Sequence, residues 1–118
     1  MPREMTSSGE NEERIARTES LFRGVNERIA TSARRFGGDD ASFVCECDDP
    51  QCTDRVRVTL AEYEEVRADG ASFLVAPGHE NEDVEEVRSG GPSFSLVEKV
   101  RPLVRRTAKQ LNPRAQQA

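Results

Sequence analysis

The residues of this chain best suited to chemistry are three cysteines and one histidine. Cys45, Cys47 and Cys52 lie within eight residues of one another, and the only histidine, His79, ends the turn-like run A-P-G-H at 76–79. A structural zinc site takes four N or S ligands from the protein, at about 2.0–2.3 Å in a tetrahedral arrangement. Because one such site would use every Cys and His of the chain, the set predicts a Cys₃His zinc site.

The spacing of these ligands leaves two alternatives open. The pattern C-x-C-x₄-C differs from the paired C-x₂-C knuckles of zinc ribbons, so spacing alone does not select zinc. An iron–sulfur cluster is the first alternative, because CDGSH-type [2Fe–2S] proteins share the order Cys-x-Cys, Cys, His, although here Cys52 is followed by T-D-R and not by D-G-S-H. Free or redox-active thiols are the second alternative. A catalytic zinc is disfavoured, since it keeps one coordination position open.

Composition and charge limit what surrounds the site. Of the 118 residues, 35% are hydrophobic and 33% are charged, so the core must be small and a metal would help to stabilise it. Residues 39–98 carry sixteen acids against four Arg, whereas residues 99–118 carry six bases and no acid. Lys and Arg supply most of the affinity for nucleic acid through phosphate contacts, so only the 99–118 segment is suited to bind DNA or RNA.

Two further observations bear on location and activity. The chain has no apolar run near the roughly 18 residues that a membrane span needs, and its first residues are polar and acidic, so we expect a cytoplasmic protein without membrane contact. The acidic runs at 62–65 and 80–86 are typical of a solvated face and not of a catalytic carboxylate pair, and the glycine-containing loops lack phosphate-binding spacing. The sequence therefore predicts a protein that is not an enzyme.

The N-terminal third is predicted to be one long helix. Residues 1–9 lack periodicity and are expected to be disordered, whereas residues 10–38 have the pattern of an amphipathic helix that Gly37 and Gly38 end. Its apolar stripe comprises Ile15, Phe22, Val25, Ile29 and Phe36. Such a stripe is usually a core-facing surface, and its alternative interpretation is a face for self-association or a protein partner.

Residues 39–100 are predicted to form the Cys₃His zinc-binding domain. Strands are expected at 41–44, 55–58, 72–76, 83–88 and 93–100, and a capping box of Thr59 and Glu62 opens one short crossing helix. The predicted fold class is thus α+β: a small mixed sheet stabilised by zinc, a long N-terminal amphipathic helix and one short helix. Residues 101–118 are expected to be a basic, flexible tail with at most a helical turn or two.

The segment 21–99 resembles a known group of proteins. The motifs F-V-C-E-C, C-T-D-R-V, L-A-E-Y-E-E-V-R, F-L-V-A-P-G-H-E and L-V-E-K, with the preceding F-R-G-V-N-E-R-I, are similar to those of small, bacterial, actinobacterial-type proteins that share a C-x-C…C…P-G-H pattern. The resemblance implies that Cys45, Cys47, Cys52 and His79 belong to the defining pattern of that group. It implies no activity, substrate or partner.

These observations predict a small zinc-binding protein that acts as a protein-interaction or regulatory module. In this interpretation the zinc is structural and holds the loops that carry its ligands. Two other functions stay open: a thiolate-based redox or metal sensor, and a transcriptional accessory protein that contacts nucleic acid through its basic tail.

Overall fold

The computed structural model of the chain describes residues 8–91 and 93–114. Most of the predicted disordered segment 1–9 and the last residues of the predicted tail, 115–118, lie outside these ranges. The described elements are, in chain order, α1 (Ser8–Arg35), β1 (Asp40–Val44), β2 (Arg55–Thr59), α2 (Leu60–Arg67), β3 (Ser72–Val75), β4 (Glu85–Gly91), β5 (Phe94–Lys99) and α3 (Pro102–Gln110). The predicted α+β class and the long N-terminal helix are confirmed.

Local signals in the sequence correctly indicate where α1 ends and where α2 begins. After α1, Gly37 has a φ of +76°, and the amides of Gly37 and Gly38 donate to the carbonyls of Arg34 and Ala33 at 3.1 and 2.9 Å. This is the Schellman arrangement that glycine favours at a helix C-terminus. At α2, the Thr59 hydroxyl accepts from the Glu62 amide and the Glu62 carboxylate accepts from the Thr59 amide, so the capping box is confirmed.

The buried face of α1 differs from the predicted stripe. Of the stripe residues only Ile15 is buried, while Phe36 is 82% exposed. The buried residues of α1 include the polar side chains of Glu19, Arg23 and Asn26. They also include Ile15, Ala16 and Ala30. The polar residues are buried because they find partners across the fold; Arg23, for example, donates to the Gly70 and Ala108 carbonyls at 2.7 Å each. The interpretation of the whole stripe as core was therefore wrong.

The strands form two antiparallel sheets and not one mixed sheet. One sheet has the order β1-β2 and the other the order β3-β5-β4. β5 pairs with both β3 and β4, and β4 continues to Gly91, through part of the predicted turn, with a bulge between Val87 and Ser89. Beyond the end of β1, the Glu46 amide donates to the Leu74 carbonyl at 2.7 Å, which ties the two sheets together where the site lies.

The segment predicted as a flexible tail contains a packed helix. Val104 and Ala108 of α3 are fully buried, Pro102 stands in its first turn, and the Arg23 side chain binds the Ala108 carbonyl. These buried contacts with α1 order the segment, which its basic composition did not reveal. None of the helices in the described ranges is both long enough and apolar enough to cross a membrane.

Candidate metal centre

Two separate loops bring the predicted ligands to one place. Cys45 directly follows β1, Cys47 and Cys52 lie in the loop between β1 and β2, and His79 lies in the loop after β3. One ligand atom from each of these four residues lies within 4.8 Å of all the others. The structure therefore unites all four predicted ligands in a cluster that could hold a metal ion.

The separations within the cluster match those of a mononuclear tetrahedral site. The His79 Nδ1 atom lies 3.5 Å from the Cys45 Sγ atom and 3.6 Å from the Cys52 Sγ atom. With Zn–S and Zn–N bonds of about 2.3 and 2.05 Å, tetrahedral geometry separates a sulfur from a nitrogen by about 3.6 Å. These two separations are compatible with one tetrahedral ion between His79, Cys45 and Cys52.

The histidine is oriented by a turn and by a carboxylate. Gly78 has a φ of +87°, and the His79 amide donates to the Ala76 carbonyl at 3.0 Å, which closes the turn predicted from the A-P-G-H run. The His79 Nε2 atom lies 3.0 Å from the Asp54 Oδ2 atom. When Nε2–H donates to this carboxylate, Nδ1 is left as the ligand, which is the usual outer-sphere arrangement of metal-bound histidine.

Backbone groups hold the cysteine side of the cluster. The Ala76 amide donates to the Cys45 Sγ atom at 3.2 Å, and the Cys45 amide donates to the Asp54 carbonyl at 3.0 Å. The Cys52 amide donates to the Asp49 carbonyl at 3.0 Å, which turns the loop between the second and third cysteine. These contacts join both sheets to the site and give one thiolate an N–H donor that favours its charged form.

The three thiols influence one another's pKa. A hydrogen bond from Cys45 lowers the pKa of Cys47, and the same hydrogen bond raises the pKa of Cys45. Burial raises the pKa of Cys52, while a hydrogen bond to Cys47 raises the pKa of His79. One thiolate is therefore strongly favoured beside protonated neighbours, and a bound cation would have to displace their protons.

The cluster has a closed side and an open side. Cys45 and Cys47 are 1% and 2% exposed, whereas Cys52 and His79 are only partly buried. A metal ion could reach the cluster from the side of these two residues. The buried pair provides the dry environment in which ligand bonds are least exposed to competition from water.

Two residues that contribute to the site were missed by sequence reasoning. In the sequence, Asp54 stands out only as part of the T-D-R run that follows Cys52, and Glu46 is one of the sixteen acids of residues 39–98. Glu46 is fully buried between two cysteines. The alternation C-E-C contains a usable signal, since successive side chains of an extended chain point in opposite directions and two ligands on one side place the Glu in the core.

The acidic runs and the basic tail have different outcomes. The side chains of Glu82, Asp83 and Glu86 are exposed, as a solvated face requires, but Glu85 is buried against Lys99. In the C-terminal segment, ion pairs join three arginines to acids elsewhere: Arg101 to Glu12, Arg105 to Glu98 and Arg114 to Glu27, at 2.7–2.8 Å. These arginines stabilise the packing of the segment, so fewer of its charges are available to phosphates.

Comparison with known proteins adds no relative. No protein-family model, no curated protein and no solved structure matches the chain.

Proposed function

We propose that this protein binds one zinc ion through Cys45, Cys47, Cys52 and His79, that the zinc is structural, and that the protein acts as an interaction module and not as an enzyme. One observation carries the metal part of the proposal: the four ligand atoms lie within 4.8 Å of one another in the folded chain. Such convergence of three soft sulfur donors and one imidazole suits zinc.

The compactness of the cluster favours a single ion over an iron–sulfur cluster. A [2Fe–2S] cluster distributes its four protein ligands over two iron atoms, so ligands of different irons lie farther apart than ligands of one ion. The spacing between His79 Nδ1 and the sulfurs of Cys45 and Cys52, 3.5 and 3.6 Å, instead fits one tetrahedral centre. Four protein ligands also leave no coordination position for a substrate, which supports a structural role.

Elemental analysis with a visible spectrum tests this proposal. We expect purified protein to contain one equivalent of zinc per chain and to be colourless, because Zn²⁺ is a d¹⁰ ion. Cys52→Ser and His79→Ala should lose the metal and much of the folding free energy, since metal-binding free energy is folding free energy in such domains. Thr53→Ser, next to the ligand and exposed, is the matched control. Stoichiometric iron with visible absorption, or full zinc in both ligand variants, would contradict the proposal.

The interaction role is supported by the outer face of α1. Leu21 is 69% exposed, Val25 is 39% exposed and Phe36, just after the helix, is 82% exposed. We therefore assign the contact surface for a second copy or a protein partner to these three residues. The other residues of the predicted stripe are less accessible, because Ile15 is buried and Phe22 and Ile29 are half-buried.

Light scattering on Leu21→Glu with Phe36→Glu tests self-association through this face. Both positions are exposed, so the double variant should keep the circular dichroism and zinc content of the parent. An assembly in the parent that becomes a monomer in the variant would support the contact surface. A parent that stays monomeric over a hundredfold range of concentration would contradict self-association.

A redox role is the second candidate, and the partial exposure of Cys52 favours it. Hydrogen peroxide would take two electrons from two thiolates, forming one disulfide and, with two protons from solvent, two molecules of water, and the zinc would leave. Release of zinc by equimolar peroxide, reversed by a dithiol reductant, would support this role. Zinc retained through hours at tenfold excess peroxide would exclude it.

A further inference from the structure

Glu46 occupies an unusual position between two of the proposed ligands. Its side chain is fully buried although it carries a carboxylate, and the residues on either side, Cys45 and Cys47, direct their sulfurs to the metal cluster. Buried carboxylates are rare unless they are paired and hydrogen-bonded. The burial of Glu46 therefore requires hydrogen-bond partners for its carboxylate.

Both oxygens of the Glu46 carboxylate accept hydrogen bonds from other elements. Oε1 accepts from Arg67 at 2.8 Å and from the Leu74 amide at 2.9 Å, and Oε2 accepts from the Asn26 Nδ2 atom at 2.7 Å. Asn26 belongs to α1, Arg67 to α2 and Leu74 to β3. One side chain thus ties the ligand loop to three elements that are distant in sequence.

Asn26 also binds the backbone beside the ligand loop. Its side-chain amide donates to the Val44 carbonyl and accepts from the Val44 amide, both at 2.8 Å. Val44 is the last residue of β1 and directly precedes Cys45. The chain is therefore held on both sides of Cys45. Asn26 of α1 binds the Val44 backbone, and the Glu46 carboxylate binds its own partners.

The third contact sets the distance between the two halves of the site. Leu74 lies in β3, which leads to His79, and the Leu74 carbonyl also accepts from the Glu46 amide at 2.7 Å. Two residues further along, the Ala76 amide donates to the Cys45 Sγ atom. The backbone and side chain of Glu46 together hold β3 beside the cysteine loop, so they determine how far His79 lies from the sulfurs.

We propose that Glu46 is a positioning residue of the metal site. This inference rests on the proposed zinc-binding function, and it assigns to Glu46 the pre-arrangement of the cysteine loop against the strand that carries His79. Groups that orient ligands without touching the metal typically change metal affinity by 10- to 100-fold when they are replaced. Through the same hydrogen bonds, occupation of the site and packing of α1 stabilise each other.

Glu46→Gln is the direct test. Glutamine keeps the shape of the side chain, but whichever way its amide turns, an NH₂ group faces either Asn26 or the donors Arg67 and Leu74. We expect the affinity for Zn²⁺, measured by competition with a chromophoric chelator, to fall by about 10- to 100-fold. At saturating Co²⁺ the variant should show the visible spectrum of the parent, because its four ligands are unchanged.

The matched control separates positioning from general loss of stability. Val104→Ala opens a cavity in a second buried cluster, with Ile15, Ala16 and Val84, away from the ligand loop. Urea unfolding of the zinc-loaded variants measures how much stability each has lost. Glu46→Gln should lose at least about tenfold more zinc affinity than a control of similar stability.

Two results would overturn the inference. A Glu46→Gln protein that binds zinc within twofold of the parent, or one that loses no more affinity than Val104→Ala, would show that Glu46 does not position the site. Should Glu46→Gln fail to fold, Asn26→Ala removes the Oε2 partner together with the two hydrogen bonds to Val44, and it is measured against the same control, with the same criterion. A parent that binds no zinc would instead contradict the proposed function, and the positioning role with it.

Discussion

Two clusters of buried charges pack against α1, and they differ in how their charges are balanced. The Glu46 cluster (Glu46, Arg67 and Asn26) has one carboxylate and one guanidinium, and both carboxylate oxygens accept hydrogen bonds. The Lys99 cluster (Lys99, Glu19 and Glu85) has two carboxylates around one ammonium group, and all three side chains are fully buried.

This imbalance has a consequence for Glu19. Its Oε1 atom lies 2.5 Å from the Lys99 Nζ atom in an ion pair without hydrogen-bond geometry, and its Oε2 atom has no hydrogen-bond partner among the described residues. Burial raises the pKa of Glu19 well above its ordinary value, and the Glu85 carboxylate raises it further. A balanced cluster can fix geometry, as the Glu46 cluster does beside the metal ligands, while an unbalanced one favours the uptake of a proton.

The largest effect is expected when the balanced cluster is broken. Arg67→Met leaves the Glu46 carboxylate buried without its cation, which should lower the free energy of unfolding by about 3–5 kcal/mol. Urea denaturation of the zinc-loaded protein measures this loss. Arg57→Met is the control, because the ion pair of Arg57 with Asp40 is exposed and should be worth less than about 1 kcal/mol. Equal losses in the two variants would show that the burial of the Glu46 cluster is irrelevant.

Breaking the unbalanced cluster should cost less, and its cost should depend on pH. Lys99→Met removes the cation that pairs with both Glu19 and Glu85, at a cost of about 3 kcal/mol at pH 8. At pH 5.5 the cost should be smaller, since the Glu19 carboxyl group, whose pKa is raised by burial, can then take up a proton and avoid buried charge. Urea denaturation at the two pH values tests the expectation. A cost that does not change with pH would mean that the Glu19 carboxylate stays ionised.

Glu19→Gln should separate the two clusters most sharply, because it removes the excess charge. A carboxyl group with a raised folded-state pKa stabilises the fold below its unfolded pKa, and that contribution is lost as pH rises through the folded pKa. The variant should therefore gain about 1 kcal/mol over the parent at pH 8 and less at pH 5.5. Glu13→Gln, exposed on the same helix, is the control. A variant less stable than the parent at pH 8 would contradict the proposed imbalance.

The smallest effect is expected at a third ionic group, which is partly exposed. Arg114 binds Glu64 and Glu27 at 2.8 Å each, and its hydrogen bond to Glu64 lowers the pKa of that carboxyl group. A lowered pKa adds stability at neutral pH that is lost as pH falls through the folded pKa. Arg114→Ala should cost less than about 1 kcal/mol, and 1 M salt should reduce the cost further. A loss as large as that of Arg67→Met would remove the distinction between fully buried and partly exposed pairs.

Features that depend only on neighbouring residues could be predicted from the sequence. The glycine cap after α1, the capping box of Thr59 and Glu62 and the positions of the strands are set within a few residues, and the structure shows them close to where they were predicted. The four candidate ligands were found in the same way, because residue type and rarity identified them without knowledge of the fold. Because the chain has no other cysteine or histidine, a single site was expected to use all four. No local pattern shows that they converge; the folded chain does.

Which polar groups are buried, and what they bind, depends on the folded chain. Asn26 and Glu46 are twenty residues apart, and Arg23 binds a carbonyl eighty-five residues away, so no pattern within α1 could show that its polar side faces inward. The same holds for Asp54 behind His79 and for the docking of α3. A polar side chain is buried when a distant partner satisfies it, and the identity of that partner is a property of the folded chain.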